Sequence, residues 1–237
     1  MTTAQLTLKQ TSTQDAMSIL PNFPEKAAEC VKRYLEVMDL DQYKYFLYAM
    51  YHYTLDSEAK LIHASEKCAD AGLKAYFKEM AREERGHYLL AQRDIEEFGI
   101  NVVGTEDPEA IKDFRDYWYS LGQSNDNEFV GAMYVFESIA SLCVEEVKSM
   151  IQRLGLTKKQ ARWLLVHLEA DEDHGTEAWK MCLGYASNNP EAILCAAQDG
   201  AERWITVFED ALSNRLEPEI LEKKFQSAPS TKSHKTH

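Results

Sequence analysis

The chain has 237 residues, of which 45% are hydrophobic, and its formal net charge is −13 at pH 7. This composition is typical of a globular protein with enough apolar residues for a sizeable core. The negative charge, with no basic cluster before the C-terminal tail, argues against nucleic acid and anionic membranes as partners.

Targeting signals and cysteine pairs are not evident in the sequence. Residues 1–15 contain no apolar run of signal-peptide length, and no segment offers about 18 uncharged apolar residues in a row. We therefore expect a cytoplasmic protein. The five cysteines are far apart and never form a C-x-x-C pair, so reduced thiols are expected rather than disulfides or a zinc site.

Almost all of the chain is predicted to be helical, because ten glycines and six prolines separate long segments with a 3.6-residue period. Seven helices are predicted to begin near residues 24, 41, 73, 107, 127, 157 and 189. The sixth starts at a capping box formed by Thr157 and Gln160. Only residues 100–103, INVV, look like a strand. We expect one all-α bundle over residues 1–222 and a mobile polar tail over residues 223–237.

The segment HLEADEDH, residues 167–174, concentrates histidines and carboxylates within one predicted helix. On a helix, His167, Asp171 and His174 share a single stripe, because their spacings are i, i+4 and i+7. Glu172 and Asp173 lie well off that stripe and are expected to face solvent. The spacing therefore predicts a group of three side chains that could bind a metal ion.

Two other helices offer partners for this stripe. Glu84 and His87, in EERGH, have the Glu-x-x-His spacing of carboxylate-bridged di-metal sites in helix bundles. Glu137 is the only charge among the fifteen residues from Val130 to Val144. A buried carboxylate is costly unless it is protonated, paired or bound to a metal, so Glu137 is a third candidate.

Six carboxylate and imidazole side chains suit two iron or manganese ions, with Glu137 able to bridge them. Glu36, Asp56 and Glu58 could each add a ligand, and spacing does not choose among them. Other interpretations stay open for the separate motifs. The stripe and the Glu-x-x-His pair could be surface ion pairs, and Glu137 could pair with a buried arginine or lysine.

These motifs resemble those of the haem-oxygenase-like di-iron oxidases and oxygenases. The resemblance covers about residues 24–212 and is carried by EERGH, FES at residues 136–138, and HLEADEDH. It implies a seven-helix haem-oxygenase-like bundle that binds two iron ions, cycling between Fe(II) and Fe(III), with O2 as co-substrate. The ligands that it implies are Glu84, His87, Glu137, His167, Asp171 and His174.

The resemblance also implies a small amino-acid-like substrate and an external electron donor, and it leaves a homodimer open. Within the family the chain looks most like cyanobacterial members, among them a nitrile synthase that acts on brominated tryptophan. Some members have a further ligand Glu seven residues before the first His, where this chain has Met80. The aromatic residues of the second predicted helix, among them five tyrosines between residues 43 and 53, are expected to form a pocket wall.

Related classes fit the sequence less well. Haem oxygenases hold haem through a histidine in the first helix, and this chain has none before His52. Thiaminase-like relatives use a cysteine, and the nearest one, Cys143, is expected to be rotated away from Glu137. A ferritin-like four-helix bundle would have no role for His167. An iron-storage protein and a non-catalytic interaction protein remain as alternative functions.

Overall fold

Helices make up most of the molecule. The computed structural model describes residues 12–217 and 220, without the side chains of residues 170–173, and the predicted tail at 223–237 lies outside it. Eleven α-helices and the 3₁₀ turn Lys158–Gln160 are found in this part of the chain. The helices are α1 (Thr13–Ile19), α2 (Asn22–Val37), α3 (Leu40–Leu55), α4 (Ser57–Lys67), α5 (Ala71–Glu83), α6 (Tyr88–Glu96), α7 (Glu109–Ser120), α8 (Asn127–Leu142), α9 (Val144–Arg153), α10 (Arg162–Tyr185) and α11 (Pro190–Ser213).

The all-α class is confirmed, but the number of helices is larger than the seven predicted. Three predicted helices are interrupted, at Asp56, between Glu84 and His87, and at Cys143, and α1 precedes the first predicted helix. At Asp56 and Cys143 the backbone leaves helical geometry, with φ of −106° and −116°. Apolar periodicity continues across all three interruptions, so the pattern alone did not reveal them.

Residues 100–103 do not form a strand, contrary to the prediction. The structure has no strand anywhere in residues 12–217 for this segment to pair with. Ile100 and Val102 are buried in the helical core, while the side chain of Asn101 accepts a hydrogen bond from the amide of Val103 at 3.0 Å. The segment is therefore a loop that is anchored by two apolar side chains.

Helix α8 lies at the centre of the bundle and packs against α2, α10 and α11. Two glycines permit close approaches of its backbone. A Cβ atom at Gly131 would lie 2.1 Å from the carbonyl oxygen of Ile193 in α11, and a Cβ at Gly175 in α10 would lie 3.0 Å from that of Glu137. Since α8 is covered on several sides, its one central carboxylate is enclosed by other helices.

The start of α10 is capped by a residue from another helix. The predicted capping box of Thr157 and Gln160 forms, but it caps the beginning of the 3₁₀ turn and not that of α10. The amide of Trp163, in the first turn of α10, donates instead to Asp94 Oδ2 at 2.8 Å. Asp94 is fully buried in α6, and this hydrogen bond ties α6 to α10. None of the helices in the described part of the chain is long and apolar enough to cross a membrane.

Replacing Asp94 by Asn should change how stability depends on pH. Burial raises the pKa of Asp94 to about 7, against a usual value of 3.8, so the folded protein keeps its proton up to that pH. The unfolded chain releases it near its usual pKa, so between these two values rising pH favours unfolding of the wild type. Asp94→Asn keeps the acceptor oxygen without the charge. The urea concentration at the midpoint of unfolding should therefore rise for Asp94→Asn relative to the wild type as the pH increases from 5 to 8.

The matched control is Glu97→Gln. Arg162 lies 3.5 Å from Asp94 and 3.4 Å from Glu97, and this variant removes the exposed carboxylate of that pair. This variant should keep the pH dependence of the wild type. If the difference in unfolding midpoint between Asp94→Asn and the wild type stayed constant from pH 5 to pH 8, the raised pKa of Asp94 would be contradicted.

Candidate metal centre

The first part of the site lies where α5 ends and α6 begins. Glu84 and His87 were expected on one continuous helix, but α5 ends at Glu83 and Gly86 adopts a φ of +84°. This left-handed conformation favours glycine and interrupts the helix between the two candidates. Glu84 and His87 still converge, with Oε1 of the carboxylate 2.9 Å from Nδ1 of the imidazole.

His167 joins this pair from α10. Its Nδ1 lies 2.7 Å from the carbonyl oxygen of Trp163, and its ring stacks on the Trp163 ring at 4.1 Å between centroids. Because a carbonyl only accepts hydrogen bonds, Nδ1 carries the proton and Nε2 keeps its lone pair. Burial lowers the pKa of His167, which favours the neutral form that binds metals.

The three side chains are close enough to share one ion. One ligand atom from each of Glu84, His87 and His167 lies within 4.8 Å of the other two. Ligands at about 2.0–2.2 Å from a common metal ion are roughly 3–4 Å apart, so small side-chain movements would complete the contact. The sequence predicted all three residues, and the fold brings them together from two separate regions of the chain.

Glu137 and His174 form a second group at the crossing of α8 and α10. Oε2 of Glu137 lies 3.2 Å from Nδ1 of His174, and Nε2 of His174 lies 3.0 Å from Oε2 of Glu83. The sequence analysis did not select Glu83. Its position four residues before His87 was the available signal, since residues i and i+4 share a helix face. Asp171, the third predicted member of the stripe, has a side chain outside the described part.

The two groups are electrostatically linked. Burial raises the pKa of Glu137, more than its hydrogen bond to His174 lowers it, and the charge of Glu84 adds to the rise. For Glu84, burial is outweighed by the hydrogen bond to His87 and by the neighbouring imidazoles, so its pKa is lowered. Two largely buried carboxylates that act on each other favour bound cations.

The further ligand candidates lie elsewhere. Glu36 is exposed, Glu58 pairs with Arg85 at 2.7 Å, and Asp56 accepts a hydrogen bond from Tyr119 at 2.8 Å. None of these carboxylates belongs to the cluster found among the described residues. Iron fits the cluster itself, because carboxylate oxygen and neutral imidazole nitrogen are the ligands that iron binds in helix bundles.

A cavity of about 110 Å³ adjoins this cluster, and Glu84, Glu137 and His167 are part of its wall. Most of the remaining wall is apolar, and its aromatic members include Phe46, Tyr53, Trp118, Trp163, Trp204 and Phe208.

The expectation that the aromatic residues of α3 form the wall holds for Phe46 and Tyr53, whereas the other four tyrosines of residues 43–53 do not line the cavity. The hydroxyl groups of Tyr43, Tyr45 and Tyr48 donate to the 3₁₀ turn, to α11 and to the loop before α7. These tyrosines therefore fix α3 in the bundle.

A lysine also reaches the cavity. Lys60 is only 5% exposed, and its Nζ donates to the carbonyl oxygen of Tyr53 at 3.0 Å. Burial lowers its pKa to about 8, although the carboxylates of Asp56 and Glu84 favour the charged form. Lys60 was not a candidate from the sequence. A lysine within a predicted helix gives no sign of burial, and the helix break that precedes it was not predicted.

Cys143 lines the cavity too, contrary to the expectation that it is rotated away from Glu137. That expectation extended helical periodicity to a residue that follows the end of α8, where it no longer applies. Burial raises the pKa of Cys143 to about 12. Since the thiolate is the nucleophilic form, this environment opposes a role for Cys143 in nucleophilic catalysis.

Known proteins resemble the chain in sequence and in fold. A stretch of 72 residues is 31% identical to the 4-aminobenzoate synthase of Chlamydia pneumoniae and covers 30% of this chain and 32% of that protein. The matched stretch thus spans about a third of that relative.

Among solved structures, a domain of unknown function with a heme oxygenase-like fold from Shewanella denitrificans has a TM-score of 0.70 at 18% identity, covering 84% of this chain and 90% of that one. A TenA homologue from Pseudomonas syringae has a TM-score of 0.71 at 12% identity, covering 90% and 100%.

The family assignment rests on a longer match. Residues 44–206 match the model of a family described as iron-containing redox enzymes. This range contains every residue of the two groups described above, and the structural neighbours have the same helical architecture. The chain therefore belongs to the family of iron-containing redox enzymes and has a haem-oxygenase-like fold.

Proposed function

We propose that the protein is an O2-dependent non-haem di-iron oxidase or oxygenase that acts on a small amino-acid-like substrate. One observation carries this proposal. Glu84, His87 and His167 converge within 4.8 Å of one another, and two of them line a cavity with Glu137, the carboxylate that contacts His174. The site thus combines a metal-binding cluster with space for an organic molecule.

The two groups of side chains correspond to two ions. Glu84, His87 and His167 would hold one ion, and Glu137, Asp171 and His174 would hold the other. Glu83 also contacts His174, and this contact would change when an ion binds to His174. Bound ferrous iron would supply electrons to O2, and an external donor would return them after each turnover.

The chain contributes orientation and exclusion of water. The carbonyl oxygen of Trp163 fixes the tautomer of His167, which keeps Nε2 free to bind. The apolar wall, which includes Phe46 and Phe208, limits the water that could compete with a substrate beside the cluster.

The substrate that we propose is an aromatic amino acid or a close relative of one. Trp118, Trp163 and Trp204 line the cavity, and stacking on such rings contributes on the order of 1 kcal/mol per contact beyond the burial of area. The relative named 4-aminobenzoate synthase gives modest support, because 4-aminobenzoate is itself a flat aromatic compound. Nitrile formation from a tryptophan derivative remains a prediction from the sequence resemblance.

Replacing His174 or His167 by Ala should lower the amount of bound iron. After anaerobic loading with Fe(II), we expect about two irons per wild-type chain and about one or none in either variant. The reason is that an ion with few protein ligands loses a large share of its affinity when one imidazole is removed. Iron analysis after desalting measures the stoichiometry, and circular dichroism checks that helical content is kept.

Glu169→Ala and His63→Ala are the controls for this experiment. Glu169 is an exposed carboxylate on α10, and the His63 ring packs against Tyr119 outside the cluster. Both variants should keep the iron content of the wild type. Many irons per chain would instead indicate storage, and none would indicate an interaction protein.

Glu137→Gln should separate a metal ligand from a structural acid. Without iron, we expect the variant to be at least as stable as the wild type, because burial raises the pKa of Glu137 and the amide removes that cost. With Fe(II), the wild type should gain thermal stability that the variant lacks, since a ligand that binds only the folded state stabilises it. Thermal melts of both proteins with and without Fe(II) measure this difference. An equal gain in both would contradict a ligand role for Glu137.

Aromatic amino acids should accelerate the reaction of the Fe(II)-loaded protein with O2. The test is O2 uptake in the presence of tryptophan, brominated tryptophans, lysine or a fatty acid, with products identified by mass spectrometry. We expect the tryptophans to give the fastest uptake and a modified product, because the cavity wall is rich in aromatic rings. Turnover of lysine or the fatty acid alone would reject the aromatic substrate and leave the iron assignment in place.

A further inference from the structure

Lys60 is a buried cation that has no ion pair with any described residue. No carboxylate of a described residue lies within 4.0 Å of its Nζ, whose one protein hydrogen bond is to the carbonyl oxygen of Tyr53. The Nζ also lies 4.0 Å from the centroid of the Tyr53 ring. An ammonium has three donors, and burying it without an anion is costly. The fold therefore keeps a positive charge that no described carboxylate contacts directly, although Asp56 and Glu84 favour it from a longer distance.

The surroundings of Lys60 are those of a ligand site. Lys60 is the one lysine or arginine among the described residues that line the cavity, and it shares that wall with Glu84, Glu137 and His167. Thr54, at the end of α3, lines the same cavity and uses its hydroxyl hydrogen in a 2.6 Å bond to Met50, so its oxygen is left as an acceptor. The Lys60 side chain thus borders the space in which a substrate beside the metal cluster would lie.

Unused hydrogen-bond donors accompany the lysine. The indole nitrogens of Trp118, Trp163 and Trp204 are buried and have no hydrogen-bond partner among the described residues. All three residues line the cavity. Trp204 and Lys60 both contact the Tyr53 ring. The Trp204 and Tyr53 ring centroids are 5.3 Å apart, and the Lys60 Nζ is 4.0 Å from the Tyr53 centroid. Buried donors are normally satisfied, and a rotation of these side chains would turn the unused donors towards acceptors of a ligand in the cavity.

From this arrangement we propose that Lys60 binds the carboxylate of the substrate and so selects aromatic acids over aromatic amines. The inference rests on the proposed function for the location of the substrate, and it adds the group by which the substrate is recognised. A carboxylate is acceptor-only and charged, and it would pair with the Lys60 ammonium while its aromatic part contacts the ring-lined wall. Lys60 is a specificity-determining residue in this proposal and takes no part in the metal cluster.

The test compares two probes that differ in one group. Indole-3-propionate and tryptamine share the indole ring and a two-carbon chain, and they carry a carboxylate and an ammonium respectively. Their affinities are measured by calorimetry with the protein loaded anaerobically with Fe(II), and again with metal-free protein. In both forms the wild type should bind the acid at least about tenfold more tightly than the amine, because hydrogen bonds to charged groups are the stronger ones.

Three variants assign this preference to Lys60. Lys60→Met keeps most of the side-chain volume without the charge, and it should weaken binding of the acid by about 10- to 100-fold. Lys60→Arg keeps the charge and should keep the preference for the acid. Lys44→Met is the matched control, because Lys44 pairs with Asp41 on the surface of α3 and does not line the cavity. It should bind both probes like the wild type.

A further variant keeps the proposal testable if Lys60→Met does not fold. Trp204→Phe removes one indole donor and keeps an aromatic ring. It should weaken binding of the acid by about 2- to 10-fold and leave binding of the amine unchanged. An effect of equal size on both probes would indicate a purely packing role.

The outcomes separate this proposal from the function on which it rests. A preference for the acid that is lost in the metal-free wild type and is kept by Fe(II)-loaded Lys60→Met would assign the carboxylate to the metal and overturn the role of Lys60. So would an unchanged preference in Lys60→Met, or failure of the acid to bind the wild type in either form. Iron content and O2 uptake are measured on the same preparations. Failure of the di-iron assignment would appear there, while the metal-free comparison would still report on Lys60.

Discussion

The close approach of α8 and α10 is the constraint on which the candidate metal centre depends. Gly175 permits it, since a Cβ atom there would lie 3.0 Å from the carbonyl oxygen of Glu137. His174, the preceding residue, consequently reaches the Glu137 carboxylate at 3.2 Å. The same crossing sets the position of His167, two turns earlier on α10, beside Glu84 and His87. A larger residue at 175 would push α10 away from the backbone of α8 and so move His174 away from Glu137.

The interruption between α5 and α6 is the second requirement. On a continuous helix, Glu83 and Glu84 would lie on either side of the His87 direction, and their own side chains would diverge by about 100°. Where the helix ends, Glu83 contacts His174 while Glu84 contacts His87. The left-handed conformation of Gly86 makes this possible at little cost. A local departure from regular structure thus increases the number of carboxylates near the imidazoles.

The fold class and part of the site could be predicted because they depend on periodicity. The stripe of His167 and His174 and the isolated charge of Glu137 are features of local spacing, and α8 and α10 preserve that spacing. Glu83 has the i, i+4 spacing to His87, but its contact with His174 joins two separate helices and does not follow from spacing within one of them.

Contacts between distant parts of the chain were equally hidden from the sequence. The capping of α10 by Asp94 joins residues 69 positions apart, and the aromatic wall is assembled from several helices, with Trp118 from α7 and Trp204 from α11. The prediction for Cys143 failed for a local reason, because the periodicity of α8 was extended to the residue just beyond the end of that helix.

Charge connects the metal cluster to the ligand cavity. Without metal, the carboxylate of Glu84 is among the groups that favour the charged form of Lys60, and it also raises the pKa of Glu137. Cations bound by Glu84 and Glu137 would offset this negative charge, and the ammonium of Lys60 would then be attracted less by the protein and more by an anionic ligand. On the proposed assignments, iron and a carboxylate-bearing substrate therefore bind with positive coupling. Because such coupling is reciprocal, the acid would also strengthen iron binding. A cavity with an aromatic wall, one buried cation and a carboxylate-rich cluster thus favours the joint presence of metal and substrate over either alone.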